Sequence, residues 1–338
     1  KILLKIIERK IKDENIISLD FILKEKKQTI SICPSIDILT GGIVEGTWNV
    51  LVSKEKFGKT SLALYIASKC QKLENGSRKV VYDNIECRLK PRDITSIPGL
   101  DVSQEKFEMI TSIPAEVKDG EVVKEAKILC AEEHLTKCEQ VLKDNPGCVL
   151  IIDSESLLVG ESELAEGYDK VYRADGAKLF SKFTRKVAPI VSVNNNIIIL
   201  IRHMISNPTS YGSPWKERGS GAGSYQCDLK LLGIKEEKWL TSAEKNIGKI
   251  LTWRLECGYN DNSIPGSQIN TYLRYGSGID ETAEIVNLAT DFAIITKKAS
   301  WLSYKDLQFQ GQEKFIEAVK ADDELKNKLL EEIKEVLK

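Results

Sequence analysis

Trp48-Asn49-Val50-Leu51-Val52-Ser53-Lys54-Glu55-Lys56-Phe57-Gly58-Lys59-Thr60-Ser61 is the stretch on which the fold turns. Trp48 to Val52 is apolar and short, as a buried strand is, and helical periodicity takes over from about Lys59 to Leu73. Strand, loop and helix, with Gly58-Lys59-Thr60 at the join, form the context that a phosphate-binding loop needs. Backbone N–H groups at a helix N-terminus surround phosphates; Lys59 is placed to reach the outer ones and Thr60 to ligate Mg²⁺. The candidate nucleotide cradle is therefore Ser53, Lys54, Glu55, Lys56, Phe57, Gly58, Lys59, Thr60 and Ser61. Ser53 stands where such loops carry a first Gly, which eases an awkward backbone angle. Gly-Lys-Thr alone occurs by chance, but the flanking elements and an acidic partner downstream argue otherwise.

That partner is Asp153, at the end of Cys148-Val149-Leu150-Ile151-Ile152. A carboxylate at the C-terminal end of a buried strand beside the loop can hold Mg²⁺ through water, although an Asp there can also merely cap a turn. Glu86 follows the strand Val80-Val81-Tyr82 and is placed to orient and deprotonate a water attacking the γ-phosphate. Taken alone it reads equally well as a surface Glu. His203 ends the strand Ile197 to Ile201, where a polar side chain can contact the γ-phosphate and report its loss to the loop that follows. A lone His is more often structural; the Gly-, Ser- and Pro-rich stretch 205–224 just downstream favours the functional reading.

Further strands are expected at 227–233, 250–257 and 268–275, helices at 129–142 and 174–191, and helical ends at 1–25 (Ile2, Ile6, Ile7, Ile11, with an extended piece from Leu19 to Leu23) and beyond Gln312. Strands alternating with helices specify an α/β domain with a mostly parallel sheet. The chain of 338 residues is 42% hydrophobic and 29% charged, with a net charge of −1, so any nucleic-acid binding must come from a local basic cluster. Eight Cys without a C-x-x-C pair, and two His, do not favour a structural zinc site and read as reduced thiols of a cytoplasmic protein. No apolar run reaches membrane-spanning length, and Lys1-Ile2-Leu3-Leu4-Lys5 is too charged to open a secretory signal.

The basic cluster lies on the long helix. Lys178, Ser181, Lys182 and Arg185 recur along one face, with Lys186 beside them, either as a stripe that tracks phosphates or as a solvated basic face. Loop 205–224 adds Lys216, Arg218 and Gly219-Ser220-Gly221, where glycines permit close backbone approach to phosphates. Segment 161–175, with Tyr168, Tyr172 and Arg173, is a second candidate loop for stacking on bases.

Several segments, in order, resemble the RecA recombinase family from about residue 28 onward: Thr29-Ile30-Ser31 through Ile36-Asp37 to Gly41-Gly42, Asp83-Asn84-Ile85-Glu86, Leu150 to Ser154, Thr184 to Ala188, Tyr272 to Ile279 and Ala299 to Lys305. His203, where most bacterial members carry Gln, is similar to the T-even phage recombinase, as is Gly219 to Asp228 with Tyr225. The resemblance implies a RecA-type P-loop ATPase core at 28–276, an N-terminal oligomerisation segment at 1–27 and a small α+β C-terminal domain at 277–338. It implies ATP and Mg²⁺ as cofactors, Lys59, Glu86 and His203 as catalytic, Thr60 and Asp153 as metal ligands, and Tyr275 packed on adenine. Arg173, Lys178, Ser181, Arg185, Lys216, Arg218 and Gly219 to Gly221 would contact DNA, and Tyr225 would lie at a subunit interface. The implied activity is DNA-stimulated ATP hydrolysis with homologous pairing and strand exchange by a helical filament on single-stranded DNA. The implied partners are single- and double-stranded DNA, mediator proteins and single-strand-binding proteins. The alternatives are a weakly hydrolysing ATP-binding filament protein and a RecA-fold helicase. Against the family pattern, Tyr259-Asn260-Asp261 replaces the two lysines that reach ATP from the adjacent subunit, which argues against fast hydrolysis. Lys90 and Asp93 replace residues that frame the adenine, and extra residues lie between Glu86 and Asp153.

Overall fold

The computed structural model describes residues 24–119, 121–166, 175–207, 214–259 and 263–337. The expected helix over Ile2 to Ile11, the extended piece Leu19 to Leu23, Tyr168, Tyr172, Arg173, Asn260 and Asp261 lie outside them.

A ten-stranded sheet carries the chain. Its strands are β1 (Trp48–Ser53), β2 (Val80–Asn84), β3 (Phe107–Ile110), β4 (Val149–Asp153), β5 (Ile197–Ser206), β6 (Trp215–Arg218), β7 (Leu229–Leu240), β8 (Asn246–Cys257), β9 (Gln268–Arg274) and β10 (Gly278–Ile279). They lie in the order β10-β9-β8-β7-β1-β5-β4-β2-β3, with β6 paired to β5. From β3 across to β7 the main strands are parallel; β7 to β10 and the β5–β6 hairpin are antiparallel. This is the mostly parallel α/β sheet expected from the element order.

Side-chain alternation sorts the parallel strands onto two cores. Leu51, Ile151, Ile199 and Ile201 face one core with Leu62, Leu64 and Ile66 of helix α1 (Lys59–Cys70). Val50, Val52, Leu150, Ile152, Ile198 and Leu200 face the other, covered by α2 (Ala131–Asp144) and α3 (Asp175–Val193) through Leu135, Leu142, Phe180 and Val187. Helices on both faces explain why these strands read as continuous apolar runs. A third core joins α4 (Glu281–Asp291) to a three-stranded sheet (Thr296–Lys298, Trp301–Tyr304, Leu307–Gln310) and two C-terminal helices (Gln312–Ala321 and Asp323–Val336). Phe315, Val319, Leu325 and Leu329 are buried there, with Leu330 partly buried beside them.

Two expectations are corrected, and one helix was missed. Stretch 205–224 is not one long loop: β5 continues to Ser206 and pairs with β6, and a short helix spans Gly221–Tyr225. β7 and β8 extend beyond the apolar runs at 227–233 and 250–257: in β7 an exposed polar stretch separates the inner residues from Trp239, which is buried in the third core with Ile247 and Ile250 of β8 beside it. A helix at Pro34–Thr40 went unread, although Pro at its start and Gly41, at φ 75° after its end, are a recognisable pair of boundary signals.

Tyr259 fastens the start of the core. Its hydroxyl donates to the Gly42 carbonyl at 2.6 Å and accepts from the Val44 N–H at 2.9 Å. Tyr259→Phe would leave the Val44 N–H unpaired and the Gly42 carbonyl with only the Thr40 hydroxyl, at a cost of roughly 1–3 kcal/mol. A lower urea midpoint with an unchanged slope is the expected result.

Candidate nucleotide and DNA site

Strand register brings the predicted residues together. Ser53 at the end of β1 lies opposite His203 in β5, and Asn84 at the end of β2 lies opposite Asp153 at the end of β4. Glu86 follows β2 in the next turn, and its N–H donates to the Asp153 carbonyl at 3.2 Å. The carboxyl ends of four adjacent parallel strands thus converge beside the N-terminus of α1, the place where open α/β sheets bind ligands.

The left-handed backbone of the loop falls on Lys56 (φ 58°) and Gly58 (φ 121°). Ser53 is an ordinary strand residue, so the missing Gly costs no strain there. Phe57 points inward, buried, with its ring edge-on to Trp253 at 4.9 Å. Gly233 makes room for it, since a Cβ there would stand 2.4 Å from the Phe57 ring. The Phe57 side chain thereby anchors the loop from beneath.

Lys59 is buried, and its Nζ donates to the Ser53 carbonyl (3.2 Å), the Ser53 hydroxyl (3.3 Å) and the Lys54 carbonyl (2.8 Å). Burial draws its ammonium down to about 8 against the pull of Asp153, Glu86 and Glu55. Its Nζ also lies 3.3 Å from Nδ1 of His203, whose Nε2 is 2.5 Å from Oε1 of Glu86. A neutral imidazole protonated on Nε2 satisfies both contacts, accepting from Lys59 and donating to Glu86. The Ser154 hydroxyl donates to the same Glu86 oxygen at 2.9 Å. The hydrogen bond to His203 is the main cause holding the Glu86 carboxyl below its usual range, with Ser154 adding to it.

The Asp153 carboxylate accepts from the Thr60 hydroxyl at 2.8 Å and from the buried Tyr82 hydroxyl. Burial nevertheless pushes its carboxyl up. One ligand atom each from Glu86, Asp153 and His203 lies within 4.8 Å of the others. Tyr275 follows β9 half-exposed, its N–H bonded to Ile247; nearby Lys249 donates to the Lys56 carbonyl of the loop.

On the candidate DNA face, Lys178, Lys182 and Arg185 are exposed on α3, with Lys178 paired to Asp175 at 2.9 Å and Ser181 half-buried. Lys186 pairs instead with Glu139 of α2. Lys216 and Arg218 lie on β6, Arg218 directly opposite His203. Gly219 and Gly221 are exposed beside them, whereas Ser220 is committed to internal contacts. Ser220 is buried; its N–H donates to Glu155 at 2.6 Å and its carbonyl accepts from Arg202 at 2.7 Å. A Cβ on Gly219 would come within 3.2 Å of the Glu155 carboxylate, and one on Gly223 within 2.3 Å of the Arg202 guanidinium. These glycines clear space for a buried ion pair, Arg202–Glu155, at 2.6 Å. Tyr225 is 92% exposed.

Sequence reasoning missed Tyr82, Ser154, Arg202, Glu155 and Trp215, over whose ring the Lys54 ammonium lies at 4.0 Å. Arg202 carried a signal, because a charge inside the run Ile197 to Ile201-Arg202 must find a buried partner. Tyr82 shares a face with Asn84 in the alternation of β2 and so points toward the same strand end. Trp215 carried no such signal.

The RecA N-terminal domain family matches residues 1–280 and the RecA C-terminal domain family residues 283–338. Protein RecA of Mycoplasma mycoides subsp. mycoides is 24% identical over 299 residues, 88% of this chain and 79% of that protein. Protein RecA of Chlorobaculum tepidum is 25% identical over 300 residues, 88% of this chain and 79% of its own length. Protein RecA of Rickettsia massiliae is 26% identical over 317 residues, 92% of this chain and 84% of its own.

An anion beside Lys59 restores its charge, so nucleotide binding above about pH 8 takes up a proton and weakens as pH rises, by up to about tenfold per pH unit. Titration with a fluorescent ATP analogue from pH 7 to 9.5 is expected to show this fall in wild type and a flatter profile in Lys59→Arg.

Proposed function

The chain belongs to the RecA family, and on that premise we propose that it is an ATP-dependent recombination protein that forms helical filaments on single-stranded DNA and exchanges that strand into a homologous duplex. The observation that carries this reading is the convergence of Lys59, Thr60, Asp153, Glu86 and His203 on one edge of the sheet.

The residues fit a nucleotide with Mg²⁺. Lys59 is a buried cation whose hydrogen-bond partners are neutral, and a triphosphate would meet it at the N-terminus of α1. Thr60 and Asp153 bring a hydroxyl and a carboxylate together, the hard oxygen donors that Mg²⁺ takes. Mg²⁺ would supply charge neutralisation on the phosphates. Glu86, kept ionised by His203 and Ser154, is the residue to orient and deprotonate the attacking water. Lys59, His203 and Glu86 form one chain of contacts. A phosphate that draws Lys59 away removes the donor to Nδ1, and a phosphate oxygen competing for the Nε2 proton releases Glu86 for catalysis. His203 sits opposite Arg218 at the base of the hairpin, so the same exchange would bias the segment that carries Lys216 and Arg218.

Lys178, Ser181, Arg185, Lys216 and Arg218 would grip DNA through phosphates, with Arg173 in the second loop. Binding would then be independent of sequence and weaken with salt. Tyr225, exposed beyond the hairpin, would contact the neighbouring subunit, and Tyr275 the adenine. Residues 1–27, 28–276 and 277–338 would be the oligomerisation segment, ATPase core and C-terminal domain.

A second reading, a filament protein that scarcely hydrolyses ATP, is favoured by Tyr259. It stands where a trans lysine is expected, and its hydroxyl is committed to Gly42 and Val44 inside its own subunit. Steady-state ATPase assays with and without single-stranded DNA, together with negative-stain imaging, separate the two. Stimulated turnover on filaments, lowered about 10²–10⁴-fold in Glu86→Gln, is the expected outcome. Filaments without turnover would establish the second reading, and rings would refute both. Raising salt is expected to lower DNA affinity along a straight log–log line.

A further inference from the structure

Cys227 and Cys257 differ from the other thiols. Their sulfurs are 3.6 Å apart, and both side chains are half-buried. Cys33, Cys70, Cys130, Cys138 and Cys148 are buried and Cys87 is exposed. Cys227 lies in the turn just before β7, while Cys257 ends β8 opposite Lys230, and the two sulfurs meet beside the end of that strand pair. The Cys227 thiol can donate to the Leu229 carbonyl at 3.0 Å or to the Cys257 sulfur.

We propose that Cys227 and Cys257 form an oxidisable dithiol that closes to a disulfide in the presence of a low-molecular-weight disulfide, pinning the segment that joins the β5–β6 hairpin to the core. Closing from 3.6 Å to a bond of about 2.05 Å asks for small side-chain rotations rather than a new fold. The two sulfurs have unequal roles. The hydrogen bond from Cys227 draws Cys257 down to about 7, aided by the Lys230 ammonium, whereas that same bond and then burial push Cys227 up. Cys257 is therefore the attacking thiolate. It gives up its proton to solvent, attacks one sulfur of the oxidant, forms a mixed disulfide and expels the first small thiolate. The Cys227 sulfur then attacks Cys257, forming the internal bond and expelling the second; the Cys227 proton passes to that leaving thiolate. The two protein thiols lose two electrons, and the oxidant is reduced to two thiols.

The position makes the bond consequential. Between Tyr225 and β7 the chain is held by Asp228, whose carboxylate accepts from the Trp48 N–H at 2.8 Å at the start of the strand leading to the phosphate loop. A cross-link at Cys227 adds a covalent anchor at the far end of the segment that begins with Gly219. That it would restrain DNA-dependent turnover rests on the proposed role of the hairpin.

The test oxidises the full, reduced chain with glutathione disulfide and maps peptides without reduction. The expected result is loss of two of the eight thiols together and a peptide linking Cys227 to Cys257. Cys227→Ser is expected to stop at a glutathione adduct on Cys257, and Cys257→Ser to leave Cys227 unmodified; Cys227→Ala checks that an unpaired serine hydroxyl has not disturbed folding. Oxidation confined to Cys87, with 227 and 257 still reduced, would overturn the proposal. DNA-stimulated turnover is expected to drop on oxidation, return on reduction and stay unaffected in Cys227→Ser. A cross-link that leaves turnover unchanged would overturn the pinning. Absence of DNA-stimulated turnover in the reduced protein would instead refute the recombination reading, while the peptide map would still decide the thiol pair.

Discussion

An ammonium held out of water at the carboxyl edge of a parallel sheet organises this molecule. Lys59 donates to the carbonyls of Ser53 and Lys54 and to His203. Burying a charge among neutral partners is costly, and the fold accepts it where the N-terminus of α1 and the strand ends leave room for an anion. The surrounding features serve that constraint. Phe57 and Gly233 hold the loop down, Lys56 and Gly58 bend it, and Asp153 and Glu86 supply enough negative potential to keep the lysine usable.

From Lys59 the contacts run outward without a gap. His203 links the phosphate loop to Glu86, and its strand neighbour Arg202 ties Glu155, Ser220 and Ser224 to the base of the hairpin. Lys54 reaches the same hairpin from the loop through the Trp215 ring. A buried, fully bonded ion pair next to a polar side chain that can change partner gives the hairpin a rigid hinge and one adjustable contact.

Much of this was legible in the chain. The run Trp48 to Ser61 specified strand, loop and helix, and the apolar runs ending at Tyr82, Ile152 and Ile201 located the three strands whose ends bear Glu86, Asp153 and His203. Apolar periodicity finds elements that bury a face, so it failed where burial is partial: in the outer halves of β7 and β8, in the short β6 and in the hairpin residues around Gly219. Around Gly219 the chain is shaped by hydrogen bonds to Arg202 and Glu155, and Gly219 and Gly223 leave room for that ion pair.

By itself the sequence determined the order of elements, the phosphate loop and the candidate groups at the strand ends, because these depend on local spacing and on the two-residue and helical periods. Tertiary structure alone decided which of them touch. Parallel register set Ser53 against His203 and Asn84 against Asp153, packing turned Phe57 inward and Tyr259 toward Gly42 and Val44, and the turn before β7 brought Cys227 beside Cys257. Contacts between residues distant in the chain depend on how strands align and helices cover them, and no local pattern of residues encodes that alignment.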